Sequence, residues 1–247
     1  MSKLSKKTKK IIKKSPTDLA WAGVPAVALA VWLILNKIVL QKNMKLAVLG
    51  REEAGKTSFY NFLKDGDPGN PDQTPLSDKN IEKFQVQDSE GYTFSISIID
   101  ISGQKEAVAS YYKDLVTDYD VILFFFNSEY FMTDEDYSTD VVDRIKVMGD
   151  QINTTKDSNN KSVYIVPTFK DKAEASGIKD IDLQKELFHK FDEKAPEGKR
   201  YANNILPMYQ TNDIRSLTDL RDRIFNSYKQ KQPKWKRILS SIFRELQ

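Results

Sequence analysis

The chain has 247 residues, 30% of them charged, a formal net charge of +3 and no cysteine. Disulfides and thiolate metal sites are excluded, and the length fits one α/β domain with a sizeable core once the first forty or so residues, unlike the rest, are set apart. The basic residues concentrate at the two ends, which argues against a nucleic-acid-binding body, and no nucleic-acid partner is expected.

Residues 1–18 form a basic tail with seven lysines, the last of them Lys13 and Lys14. An uncharged apolar run starts at Leu19, and with Asn36, Lys37 and Ile38-Val39-Leu40 it makes a membrane segment over 19–40. At 1.5 Å per residue this is about 33 Å of helix, enough to span a bilayer if Lys37 snorkels. Trp21 and Trp32 sit near the ends of the run, as interfacial aromatics do, while Pro25 kinks or weakens it. Three readings stand side by side: a signal peptide with an Ala28-Leu29-Ala30 site, a signal anchor, and a segment dipping into the cytoplasmic leaflet.

The domain expected over 42–230 opens on Lys45-Leu46-Ala47-Val48-Leu49, a short buried strand. Gly50-Arg51-Glu52-Glu53-Ala54-Gly55-Lys56-Thr57 follows, matching the phosphate-loop pattern G-x-x-x-x-G-K-[ST] in full. Ser58-Phe59-Tyr60-Asn61-Phe62-Leu63 then opens a helix. The glycines let the loop turn its N–H groups inward toward phosphates at the positive end of that helix, with Ser58 in its first turn. Lys56 would neutralise the β- and γ-phosphates, and the Thr57 hydroxyl would hold Mg²⁺. Chance alone produces the pattern in about one chain in a hundred of this length, at a glycine frequency of roughly 7%. A nucleotide-binding domain needs cytosolic nucleotide, which disfavours the exported reading. Positive-inside counting pulls the other way, because the lysines before the apolar run outnumber Lys37, Lys42 and Lys45 after it. The expectation is membrane attachment with the domain on the cytoplasmic side, spanning or in-plane left open.

The stretch 65–75, rich in Gly, Pro and Asp, reads as a loop. Residues 81–87 and 92–100 read as strands joined by the turn Asp88-Ser89-Glu90-Gly91. Asp100-Ile101-Ser102-Gly103-Gln104 ends the second of them. There an aspartate can hold Mg²⁺ through water, a glycine N–H can meet a γ-phosphate, and Gln104 can orient an attacking water. Further strands are predicted at 120–127, 162–167 and 204–209, with helices at 105–116, 139–154, 182–191 and 217–228. Strands alternating with helices imply a mostly parallel sheet with helices on both faces, and with the phosphate loop the fold class is an α/β P-loop NTPase, preceded by the apolar membrane helix. His189, the single histidine, lies in an amphipathic stretch and is given no role. Residues 231–247 place Trp235, Ile238, Leu239, Ile242, Phe243 and Leu246 on one helical face among basic residues, a terminal helix packed on the domain or an interfacial one.

The phosphate loop, Asp100 to Gln104, the aromatic pair Tyr111-Tyr112 and the strand ending in Asn127-Ser128 make residues 45–228 resemble the Ras superfamily of small GTPases, its Arf-like branch in particular. The layout of apolar segment and Arf-like domain is also similar to that of signal-recognition-particle receptor β-subunits. The resemblance implies a guanine-reading N-K-x-D motif, for which the sequence offers Thr168-Phe169-Lys170-Asp171. Asp171 is in place to accept both guanine N–H groups; Thr168 and Phe169 replace the asparagine and lysine, and Phe169 is either a stacking surface for the base or a core residue. It further implies a base-contacting loop at Gln210-Thr211-Asn212-Asp213 and a metal-binding switch threonine, Thr74 or alternatively Ser77. The implied activity is slow GTP hydrolysis, with GTP/GDP and Mg²⁺ bound and a protein effector or co-subunit recruited to the membrane. Two alternatives remain: a nucleotide-bound docking scaffold without turnover, and a P-loop ATPase.

Overall fold

The computed structural model describes residues 41–69, 81–88, 92–100, 112, 118–154, 161–196 and 203–231, without the side chains of 41, 42, 81, 82 and 97–100. The segment 19–40, Thr74, Ser77, Gly103, Gln104, the helix expected at 105–116 apart from Tyr112, and the 231–247 helix beyond Lys231 lie outside these residues. The side chain of Asp100 does too.

Strand β1 (Gln41–Gly50) leads through the glycine loop into α1 (Lys56–Asp65). Then come β2 (Ile81–Gln87), β3 (Thr93–Asp100) and β4 (Val121–Asn127). Helices α2 (Ser128–Thr133) and α3 (Glu135–Thr154) precede β5 (Ser162–Thr168). Helices α4 (Lys170–Ala175), α5 (Asp180–Lys194) and α6 (Ile214–Lys231) complete the described chain. The strands form one sheet in the order β2-β3-β1-β4-β5. β4 runs parallel to β1 and to β5, whereas β2 and β3 pair antiparallel with Phe84 opposite Ile96.

All seven residues of β4 are buried, because helices cover the sheet on both sides. Successive side chains of a strand point to opposite faces. Ile122, Phe124 and Phe126 therefore join Val141, Ile145 and Met148 of α3 and Leu183, Leu187 and Phe191 of α5 in one core cluster. Phe125 faces the other way, its ring centroid 5.4 Å from that of Phe59 in α1, and on that same side Phe94 stacks on Phe225 of α6 at 4.1 Å. Full burial of each such side chain contributes about 1.5–3 kcal/mol, so the middle of the sheet is the strongest part of the fold.

The predicted helix boundaries shift outward, and the caps explain why. Asp134 accepts from the Tyr137 N–H through its carboxylate (3.0 Å) and so starts α3 four residues before the predicted Thr139. Asp213 does the same for α6, accepting from the N–H groups of Arg215 and Ser216 at 3.1 and 3.2 Å. The last strand, expected at 204–209, does not form; only two isolated parallel bridges remain, Ile165 with Ile205 and Thr168 with Tyr209. Leu206 and Tyr209 donate to the carbonyls of Ile165 and Pro167. The missing N–H of Pro167 falls on the same side, so it returns no bond, and the Met208 N–H is taken by the Asp180 carboxylate at 2.7 Å. The segment slips by one residue between its two bridges and the ladder ends.

The far end of the β2–β3 hairpin is fixed to α6. Asp88, with a side chain only 2% exposed, pairs with Lys229 at 2.8 Å and accepts from the Tyr92 N–H at 2.8 Å. Among the described residues no helix is long and apolar enough to cross a membrane.

Candidate functional site

Three loops meet at the carboxyl ends of β1, β4 and β5, where open α/β sheets place their ligands. The first is the glycine loop. Gly50 has φ +136°, and a Cβ there would lie 2.0 Å from the Phe125 carbonyl oxygen; only glycine lets β1 pass so close to β4 before the loop opens. Gly55 has φ +80°, and a Cβ on it would lie 2.4 Å from Cγ2 of Thr211. Between them Glu53 takes φ 54°, a left-handed conformation uncommon outside glycine, and Glu52 and Glu53 are both exposed. Ala54 is buried.

Lys56 begins α1 with its side chain buried, and its ammonium group bridges the loop by donating to the carbonyls of Arg51 (2.5 Å) and Gly50 (3.4 Å). The helix that follows turns its free N–H end toward the loop; Phe59 N–H closes the first turn onto the Gly55 carbonyl at 3.1 Å. Thr57 and Ser58 are half-buried in that turn. Lys56 and Thr57 thus stand at the start of α1, directly after the loop.

The second loop follows β5. Thr168 is completely buried, and its hydroxyl lies 2.7 Å from the Phe126 carbonyl and 3.1 Å from that of Ala54. From there it sits beneath the glycine loop and holds it to β4. Phe169 is half-buried and left-handed at φ 58°, ψ 46°, with the Lys172 ammonium 4.8 Å from its ring centroid. Asp171 is exposed in the first turn of α4. The third loop is tied to the second by the Lys170 N–H, which donates to the Tyr209 carbonyl at 3.2 Å. It brings the buried Thr211 against Gly55. Asp100 ends β3, next to β1 in the sheet.

Behind the glycine loop lies a network that sequence reading missed. Arg51 turns its side chain away from the loop, pairing with Asp140 of α3 at 2.9 Å and covering the Tyr137 ring at 5.0 Å. Arg144 pairs with the same Asp140 oxygen at 2.8 Å, and its guanidinium also reaches the Tyr112 hydroxyl. Arg51 therefore serves the loop through its backbone. The phenols of Tyr112 and Tyr137 are pushed up to about 12 by burial, with nearby guanidinium groups opposing the rise. Asn127 receives two N–H bonds at the start of α2 (Glu129 at 3.0 Å, Tyr130 at 3.2 Å), and its own N–H donates to the Tyr137 hydroxyl at 2.8 Å. The only sequence signal for this network was the pair Asp140 and Arg144 at helical spacing, which reads equally well as a solvated surface pair.

The sequence profile of the ADP-ribosylation factor (Arf) family matches residues 31–140, which include the glycine loop, the Asp100–Gln104 stretch and β4. The comparison with curated protein sequences gives no match. Among solved structures, the chain is similar to the Arl6 (BBS3) small GTPase of Trypanosoma brucei with the nucleotide analogue GppNp bound. The TM-score is 0.56 at 14% identity, over 77% of this chain and all of that one. Phosphate loop, sheet and family profile agree, and over the matched residues the chain is similar to the Arf-like small GTPases of the Ras superfamily.

Proposed function

We propose that this chain is a membrane-attached GTP-binding switch that hydrolyses GTP slowly and recruits a protein partner in its triphosphate state. The observation that carries the nucleotide reading is the glycine loop itself: two glycines in backbone positions closed to other residues, with the Lys56 ammonium lying across the mouth. On nucleotide binding Lys56 leaves the carbonyls of Gly50 and Arg51 for the β- and γ-phosphates, and the loop N–H groups take the phosphate oxygens.

The residues present suit Mg²⁺. It prefers few protein ligands together with water and phosphate oxygens, and the half-buried Thr57 hydroxyl stands at the first turn of α1 beside the loop. Thr57, Thr74 and Asp100 would hold the ion, which when bound would neutralise charge developing on the phosphates. Gln104 orients the water for in-line attack, and the stretches around Thr74 and Gln104 respond to the γ-phosphate. Membrane attachment rests on the apolar 19–40 run and its flanking lysines.

The test is a titration of the full chain in detergent with fluorescent GDP, GTP and ATP, with and without chelator, followed by single-turnover hydrolysis. Tight guanine binding that needs Mg²⁺ and Lys56, with turnover lowered by Gln104→Leu, is the expected result. Binding without any turnover would favour the docking-scaffold reading, and a preference for ATP would favour the ATPase.

A further inference from the structure

The apolar run over 19–40 and the basic, amphipathic stretch after α6 join the domain at neighbouring points. Strand β1 begins at Gln41, directly after the run, and α6 ends at Lys231, just before Pro233. The Tyr228 hydroxyl donates to the Asn43 carbonyl at 2.6 Å, which sets the last turn of α6 beside the first residues of β1. Lys231 donates to the Lys161 carbonyl at 2.9 Å, at the start of β5. This is the amino-terminal edge of the parallel strands, opposite the edge where the phosphate loop leaves β1. Lys45 and Lys231 are exposed on it, with Asp118 as an exposed acid.

Pro233 has no N–H with which to continue α6 and restricts Gln232 before it, so a helix beyond it can take a new direction. There Trp235, Ile238, Leu239, Ile242, Phe243 and Leu246 recur at the spacing of one helical face. Lys234, Lys236, Arg237 and Arg244 fall outside that face, with Glu245 the single acid among them. Residues 234–247 make about 21 Å of helix at 1.5 Å per residue, short of the ~30 Å hydrocarbon core, so they suit a bilayer surface and not a crossing. Packing on the domain would need an apolar patch of similar size. The large apolar side chains exposed among the described residues, Tyr130, Ile181, Phe188 and Ile214, are instead spread over α2, α5 and the first residue of α6.

We propose that residues 234–247 lie in the plane of the same anionic leaflet that the 19–40 run enters, with the apolar face toward the acyl chains and the cations on lipid phosphates. The inference rests on the membrane reading of 19–40 and adds a second attachment beside the first. One attachment leaves the domain free to swing about its tether. A second, joined at the same edge, keeps that edge at the surface and turns the phosphate loop, at the opposite edge, toward solvent and a soluble partner.

The tryptophans, Trp21, Trp32 and Trp235, report on the two segments separately. The full chain is reconstituted into vesicles of brominated phosphatidylcholine, with and without phosphatidylserine. Emission is read from Trp235 alone (Trp21→Phe with Trp32→Phe) and from the other two alone (Trp235→Phe). Trp235 should be quenched by bromine close to the headgroups, and more strongly with phosphatidylserine present. In Ile242→Glu that quenching should be lost, while Trp21 and Trp32 stay quenched and the urea midpoint of the domain does not move. Lys234→Gln, Lys236→Gln and Arg237→Gln should each lower the ratio of quenched to unquenched Trp235 about fivefold in the anionic vesicles. If Trp235 is unquenched where Trp21 and Trp32 are quenched, or Ile242→Glu lowers the urea midpoint, the segment packs on protein and the second attachment is refuted while the first stands. Equal quenching without phosphatidylserine refutes the anionic surface. If no tryptophan is quenched, both readings fall together.

Discussion

Removing the Asp140 carboxylate should destabilise the domain by about 3 kcal/mol. One oxygen of Asp140 serves two guanidinium groups, Arg51 at 2.9 Å and Arg144 at 2.8 Å. The Arg144 side chain is 3% exposed, so Asp140→Ala strands a buried cation, a change that typically costs about 3–5 kcal/mol. Arg51 is 26% exposed and keeps its contact with the Tyr137 ring, so its half of the pair adds little and the lower end of the range applies. At roughly 2–4 °C per kcal/mol for a domain of this size, the thermal midpoint should drop by about 6–12 °C. Arg51→Ala alone should cost about 1 kcal/mol. In the double variant Arg51 is no longer unpaired, so the combined loss should fall short of the sum by about 0.5–1 kcal/mol. The assay is urea and thermal unfolding by circular dichroism at one fixed nucleotide concentration, since bound ligand stabilises by mass action. A loss below 1 kcal/mol for Asp140→Ala, or strict additivity with Arg51→Ala, would show that the network is solvated and does not tie the loop to α3.

Three other outcomes follow from the same geometry. Gly50→Ala places a methyl group 2.0 Å from a strand carbonyl that cannot move aside, at a φ that alanine avoids. Nucleotide binding should be lost and stability lowered by about 2–4 kcal/mol; retained GDP affinity would mean that the loop does not touch phosphate. Thr168→Val removes the hydroxyl whose single proton serves the Phe126 and Ala54 carbonyls and leaves a buried carbonyl short of its donor. About 1–3 kcal/mol of stability should go with it, together with affinity for GDP and ADP alike, and an unchanged urea midpoint would contradict the assignment. The phenols of Tyr112, Tyr137 and Tyr209 are raised by burial from 10.0 to about 12. Above pH 10 the unfolded chain releases protons that the folded chain keeps, so stability present below pH 10 is lost as pH rises toward 12. Thermal midpoints measured from pH 8 to 12 should fall over that window and fall less in Tyr112→Phe; a flat profile would refute the burial of these hydroxyls.

Sequence alone located the five strands because each is an apolar run or alternation bounded by breakers, and such patterns report burial directly. It overran at 204–209, where Leu206 and Met208 look strand-like but Pro167 on the neighbouring strand withholds the return bond. That failure belongs to pairing, which periodicity does not encode. Helix α4 escaped because its six residues bury a single side chain, Ala173, too little for a periodic signal. The glycine loop was legible as a motif because its chemistry is local. The Arg51–Asp140–Arg144 network was not, because nothing in the sequence says that position 51 faces position 140.

On the proposed reading, holding the phosphate loop and reading a base are separate tasks, carried by different atoms. The loop is fixed from below and behind: by the Phe125 carbonyl accepting from Arg51 N–H at 3.3 Å, by the Thr168 hydroxyl at Ala54, and by Thr211 against Gly55. None of these contacts depends on which base the ligand carries. Thr168 keeps a hydrogen bond to the loop, so the neighbouring position is free to hold a ring where the related motif has a lysine, and the phosphate cradle is not disturbed. The physical cost of that freedom falls on specificity. If the base edge meets Asp171 as the resemblance implies, that carboxylate is its one discriminating contact. Changes at position 168 should therefore alter whether any nucleotide binds, and changes at 169 and 171 should alter how tightly and which.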